Sequence, residues 1–457
     1  MKQTDKFGTA PLGKLLREQA IPASIGILTM SIYGIVDTIF VGRVVGPYAI
    51  GAITVVLPIT FLIASIGMAI GVGGASVLSR AIGDQKREKA FLTFGNQVIL
   101  TLLFSLLFVG LGYFFRCEII YLFGGHGEVH EPAVDYFKII LIGIPFLAWS
   151  MMSNNVIRAE GYPRVAMIVM IIPAIINLVL DPLFILVFEW GLAGAAWATT
   201  LSYIAAALFT IYHFKSKRSQ MPLNGKYCKL NLGISKEILG LGTVTLARQG
   251  VISILATVLN NSLYTYGGEM ALSAYGIISR VMMFAYFPIL GITQGFIPIV
   301  GYNFGARNEK RVRGIVRLSI FSASFFALII FAVLMIFASD ISSVFTKDQR
   351  LVDETAPAFR TVFLATPLLA VSLIISAYYQ AIGKAWPALI LALTKQGFFL
   401  IPLVLILPIF YGINGIWMAF PIADIGAALA SYLYYKFTKT KYPSGESYSN
   451  PDLMEAQ

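Results

Sequence analysis

The chain has 457 residues, 57% of them hydrophobic and 12% charged, with a formal net charge of +11. A soluble domain carries about 25% charged residues, so this chain lacks the polar surface for life in water, and lipid is its expected solvent. Two cysteines and three histidines are too few for a disulfide framework or a thiolate metal cluster, and no cofactor is expected.

The polar start, Met1 to Arg17, holds no apolar stretch ending in a cleavage site and predicts no signal peptide. A helix that crosses a bilayer needs about 20 mostly apolar residues. Such segments follow at 20–41, 49–78, 91–114, 134–157, 165–188 and 192–214. Six more lie at 238–266, 271–300, 315–337, 359–379, 387–410 and 413–435. The expected fold is therefore all-α and polytopic, with twelve transmembrane helices. The second, seventh and eighth segments are long and interrupted by Gly or polar residues, which predicts tilt or bending.

Charge alternates from loop to loop. Arg80, Lys86, Arg87 and Lys89 follow the second segment, and Arg158 and Arg164 the fourth. Six basic residues lie between 215 and 236. Arg307, Lys310, Arg311 and Arg313 follow the eighth segment. The intervening loops carry acids such as Glu118, Glu128, Asp340 and Asp348. Basic loops stay on the cytoplasmic side, which places both termini in the cytoplasm. Because the basic residues are dispersed in this way, the excess charge reads as a topology signal and no nucleic acid is expected as a partner. Cys117 and Cys228 fall on opposite faces of the membrane and cannot pair.

The two halves repeat at one offset. Gly46/Gly268, Gly73/Gly295, Gly83/Gly305, Gly161/Gly383 and Pro145/Pro367 are all 222 positions apart. PFLAWS at Pro145 matches PLLAVS at Pro367. An offset this long relates two bundles of six helices, not units of a solenoid. An even number of crossings inserts both halves in the same orientation, and parallel repeats of this kind mark transporters, with substrate bound between the halves. The expected division is a first lobe over 1–214, a cytoplasmic linker over 215–236, a second lobe over 237–437 and a tail over 438–457.

Acids inside an apolar segment cost roughly 2.5–3.5 kcal/mol each, so they are functional by default. Asp37 lies in the first segment and Asp181 in the fifth; the positions 222 residues on are Leu259 and Leu403. Tyr33 stands four residues before Asp37 and Asn177 four before Asp181, each pair on one helix face. Pro182 follows Asp181 and frees the carbonyl of Leu178. Two carboxylates, an amide, a phenol and a carbonyl suit Na⁺, and the carboxylates equally suit a proton. The competing reading is a structural hydrogen bond between helices. Thr199 in the sixth segment is placed to add a hydroxyl. Asp424 in the twelfth is either a coupling or substrate group or the partner of Lys395 or Arg248. Asn155, Gln249, Asn260, Tyr264, Met282, Gln294 and Gln380 are further candidates to line a substrate cleft, with core packing as the alternative for each. Without a Lys-Ser/Thr after GVGGAS at Gly71, there is no phosphate loop, and no enzymatic motif is present.

These residues resemble the multidrug and toxic compound extrusion family over about 14–436. The resemblance is carried by VDTIFVGRVVG at Val36, RAEG at Arg158, NLVLDPLFI at Asn177, GLAGAAWATTLS at Gly191 and GYNFGA at Gly301. It implies two six-helix bundles in a bacterial cytoplasmic membrane. It also implies export of small cationic or amphipathic compounds, by a protein expected to be a monomer, against H⁺ or Na⁺. In the branch of DNA-damage-inducible and staphylococcal exporters, the cation-coupling residues correspond here to Tyr33, Asp37, Asn177, Asp181 and Thr199. An acid that another branch carries on the seventh helix is replaced here by the neighbourhood of Arg248 and Gln249. A flippase for lipid-linked saccharides or cell-wall precursors is the alternative. Such a cavity needs several basic groups for a pyrophosphate, whereas basic residues are nearly absent from the segments here apart from Arg248, Arg280 and Lys395.

Overall fold

A computed structural model describes residues 4–45, 47–221 and 223–438. Gly46 of the repeat, Pro222 of the linker and the tail from 439 lie outside them. Among the described residues the regular structure is helical throughout.

The first half holds α1 (Leu12–Val44), α2 (Pro47–Gly83), α3 (Arg87–Phe114), α4 (His130–Ala159), α5 (Pro163–Pro182) and α6 (Gly191–Lys215). The last turns of the fifth crossing are a π-helix, Leu183–Val187. Leu232–Ala285 is one helical run of 54 residues, but Gly268 within it has φ +63° and ψ −158°. Glycine tolerates that conformation and other residues do not, so the run is two helices. The part before Gly268 is α7. The part after it, continued by Phe287–Gly305, is α8. Then come α9 (Glu309–Ile336), α10 (Gln349–Val362 and Thr366–Ala381, meeting at 49°), α11 (Ala385–Leu393, a π-helix over Thr394–Leu400, then Ile401–Tyr411) and α12 (Ile413–Thr438). Pro367 stands at the start of the second arm of α10, where its missing N–H costs no hydrogen bond. The chain therefore restarts its helix at the bend.

Nine of these helices are long and apolar enough to cross a membrane singly, and the bent pair makes a tenth. The division at Gly268 and the 33-residue α1 complete the twelve crossings. Large apolar side chains point away from each core at helical spacing: Leu103, Leu106 and Leu107 on α3, and Ile175, Leu178 and Val179 on α5, are all more than two-fifths exposed. In water such stripes would aggregate; in lipid they are the ordinary surface.

The chain packs as two compact units, one of residues 4–7 and 25–245, the other of 8–24 and 246–438. The divisions fall inside α1 and α7, the opening helices of the two repeats. In the first unit α2 and α4 build the centre, with Ile53, Val56, Phe137, Ile140 and Ile144 buried between them. In the second, Leu259, Phe359, Phe363, Val404 and Phe420 form the corresponding core.

The linker is stitched onto the first unit. Glu160, at the end of α4, is fully buried. Its Oε1 accepts from Ser219 Oγ at 2.7 Å and from the backbone N–H groups of Gln220 and Met221 at 2.8 Å each. Its Oε2 lies 3.1 Å from His213 Nε2. Burial, and then the Glu160 carboxylate, push up the pKa of the neighbouring Tyr162 phenol. Farther along, Asn96 on α3 accepts from the Asn231 N–H at 2.8 Å and Ser235 Oγ at 3.0 Å, and donates to the Lys229 carbonyl at 3.1 Å.

Candidate functional site

Asp181 sits at the end of α5, immediately before Pro182 and the π-helix. Proline cannot donate to the helix ladder, and π turns commonly mark functional positions. The Asp181 side chain is 3% exposed and Asn177, one turn earlier, is fully buried. The Asn177 amide bridges Asp181 to Thr199 on α6. With its oxygen turned toward Thr199, Nδ2 donates to Asp181 Oδ2 at 2.5 Å and Oδ1 accepts from Thr199 Oγ1 at 3.2 Å. In the other orientation Nδ2 stands 3.3 Å from Asp181 Oδ1 and 3.2 Å from Thr199 Oγ1. The first satisfies donors and acceptors better.

Asp37, half-buried on α1, completes the group: its carboxyl and that of Asp181 are hydrogen-bonded to each other. A carboxyl oxygen cannot donate unless protonated, and two carboxylates at contact repel. Such a pair therefore holds together only with a shared proton or with a cation in its place. Three phenols surround it. Tyr33 and Tyr203 face Asp37, and Tyr136, 7% exposed, hydrogen-bonds Thr199. Tyr33, Asp37, Asn177, Asp181 and Thr199 thus come together from three helices of one unit. Tyr136 and Tyr203 were not anticipated. Tyr203 lies one turn beyond Thr199 and was open to the same spacing argument, whereas Tyr136 carries no such signal.

The second unit holds a different arrangement. Asp424 on α12, 2% exposed, meets Lys395 from the π-helix of α11, with Nζ to Oδ1 at 2.6 Å. The alternative of Arg248 as partner is not taken up; its guanidinium reaches Ser376 Oγ at 3.4 Å. The cleft candidates are spread over both units, Asn155 in the first and the others in the second. Asn260 and Tyr264 are exposed one turn apart on α7, and Met282 packs on the second core. Gln380 is buried, Gln249 and Gln294 are half-buried, and Asn155 donates back to the Met151 carbonyl of its own helix at 3.0 Å.

Twelve crossings in two repeats, with acids buried inside them, define a multi-pass membrane transporter. The MatE profile matches residues 22–183 and again 244–406, two matches that begin 222 positions apart. The chain belongs to the MatE family, whose members are transporters rather than enzymes. It is 28% identical over 427 residues to the multidrug export protein MepA of Staphylococcus aureus, covering 93% of this chain and 94% of that one. Among solved structures, it is similar to a MATE protein in the bent conformation (TM-score 0.91, 26% identity, 97% of this chain and 98% of the other). A second neighbour is the outward-facing conformation of a multidrug resistance MATE family transporter of the MOP superfamily (TM-score 0.90, 26% identity, 96% and 98%).

Proposed function

We propose that this chain is a cation-coupled antiporter that exports a range of small cationic or amphipathic organic compounds, with H⁺ or Na⁺ exchanged at Asp37 and Asp181. The likeness to multidrug exporters supports the substrate class. One observation carries the coupling: two carboxyl groups share a hydrogen bond inside an apolar bundle, and among the described residues neither is in an ion pair. A mobile cation must then neutralise them. Its release and rebinding on opposite sides is what a gradient can drive. Asn177, Thr199 and the phenols supply fixed dipoles around it. The protein works on this reading as a monomer in a bacterial cytoplasmic membrane with both termini inside. A flippase is less well served, because Lys395 is already engaged by Asp424.

The test is efflux of a fluorescent cationic dye from vesicles under an imposed H⁺ or Na⁺ gradient, normalised to folded protein. Wild type should be driven by one of the two ions. Asp37→Asn and Asp181→Asn should fall to the undriven background at unchanged folded amount. Wild-type rates from either variant would overturn the assignment.

A further inference from the structure

The second unit contains a buried carboxylate of its own, and its surroundings differ from those of Asp37 and Asp181 in one decisive respect. Asp424 is 2% exposed, deep enough that a bare carboxylate would be costly. A side chain of the same unit meets that need: Lys395 Nζ lies 2.6 Å from Asp424 Oδ1. The ammonium also sits over the Tyr286 ring, 5.9 Å from its centroid, an attractive placement for a cation. The Tyr275 phenol is its remaining ionisable neighbour, and the Tyr275 ring packs on Phe420, one turn before Asp424 on α12. Lys395 projects from a seven-residue π-helix, Thr394–Leu400, where the helix carries a wider turn than its neighbours. Wider turns of this kind recur at functional positions. The repeat gives no counterpart to either residue, since the positions 222 earlier are Pro173 and Ser202. The pair belongs to the second half alone, as Asp37 and Asp181 belong to the first.

We propose that Lys395 is a tethered counter-ion that occupies a latent cation site at Asp424, so that the second unit contributes no exchangeable ion to transport. The inference rests on the proposed coupling at Asp37 and Asp181. It adds a limit on stoichiometry: the ions moved per substrate are those of the first unit only. The ammonium cannot leave on its lysine stem, and while it stays, neither H⁺ nor Na⁺ gains by binding Asp424. Removing the ammonium should convert the site into a true one, because the lone carboxylate must then take a cation from solution.

Three variants test this in purified, reconstituted transporter. Lys395→Met/Asp424→Asn removes both charges together, leaving no buried ion without a partner, and should fold. It should keep gradient-driven efflux with an unchanged number of ions per substrate. Lys395→Met alone should bind one more cation per protein than wild type, read as ²²Na⁺ binding or as protons released to an indicator dye. Lys395→Arg, which retains a tethered cation, should bind no extra one. A merely structural ion pair predicts no change in the number of exchangeable cations for any of them, Asp424 in Lys395→Met simply staying protonated. The inference is overturned if the double variant folds but loses driven efflux or changes its ion count, or if folded Lys395→Met binds no additional cation. Should Lys395→Met not fold, the double variant alone decides by the same criterion. Failure of the coupling assignment looks different: it would appear as driven efflux surviving in Asp37→Asn or Asp181→Asn, whatever the Lys395 variants do.

Discussion

Asn177 shows how much of the candidate site could be read from spacing. Its position four residues before Asp181 places both on one face of α5, and the structure joins them through the amide, which extends to Thr199. Asp37 was legible for a different reason, as a costly residue in an apolar segment. Spacing within one helix says nothing about which other helix approaches, so Tyr136, buried on α4 beside these groups, stayed invisible. Lys395 posed the same problem: an acid and a base in separate segments, with no local pattern to say that they meet. A hydrogen bond to a charged group contributes about 1.5–3 kcal/mol. Asn177→Ala should therefore raise the half-saturating concentration of the coupling cation by roughly 10- to 150-fold, with the maximal efflux rate changed less. Cation titration of dye efflux measures it; an unchanged half-saturation would remove Asn177 from the site.

At the scale of elements, the sequence made the helices plain and left their approach distances hidden. Hydropathy identified each crossing, but it cannot say where two backbones touch. Gly73 on α2 is such a contact. A methyl group there would lie 2.2 Å from the backbone carbonyl oxygen of Ile238, at the start of α7, and one on Gly242 would lie 2.7 Å from the carbonyl oxygen of Ala69. These two glycines let the helices cross within the first unit at backbone contact. Gly110 on α3 has open space around it. Gly73→Ala should destabilise by about 1–3 kcal/mol through overpacking, seen as a lower thermal midpoint in detergent. Gly110→Ala should be neutral or slightly stabilising, since alanine favours helix by up to about 1 kcal/mol. Equal midpoints for the two would show that α2 and α7 do not meet so closely. The bend in α10 was equally hidden, because its apolar stretch runs unbroken through Thr366 and Pro367 and only the proline hints at a restart.

For the whole molecule, twelve crossings and two halves were legible because solvent dictates composition and duplication leaves a constant offset. The MatE profile finds the same period independently. The alternation of basic and acidic loops predicts which ends face the cytoplasm, and the two exposed cysteines test it. An impermeant maleimide applied to intact cells should label Cys117 and leave Cys228 unlabelled until the membrane is opened. Labelling of Cys228 from outside would reverse the proposed topology. The anchoring of the linker was not legible. Glu160 stands in an RAEG turn and Asn96 in an apolar helix, and nothing in their neighbours in sequence announces that residues 219–235 return to them.

That return orders events during synthesis. The three donors to Glu160 Oε1 come from Ser219, Gln220 and Met221, and Asn96 waits for Lys229, Asn231 and Ser235. When the sixth crossing has left the ribosome, Glu160 has His213 beside its Oε2, but the donors to its Oε1 and the linker partners of Asn96 have not yet been translated. About twenty more residues close both. The polar stretch between the halves is thus the last piece of the first half as well as the lead into the second, and a gene divided at the end of α6 would part Glu160 from the strand of chain that completes it.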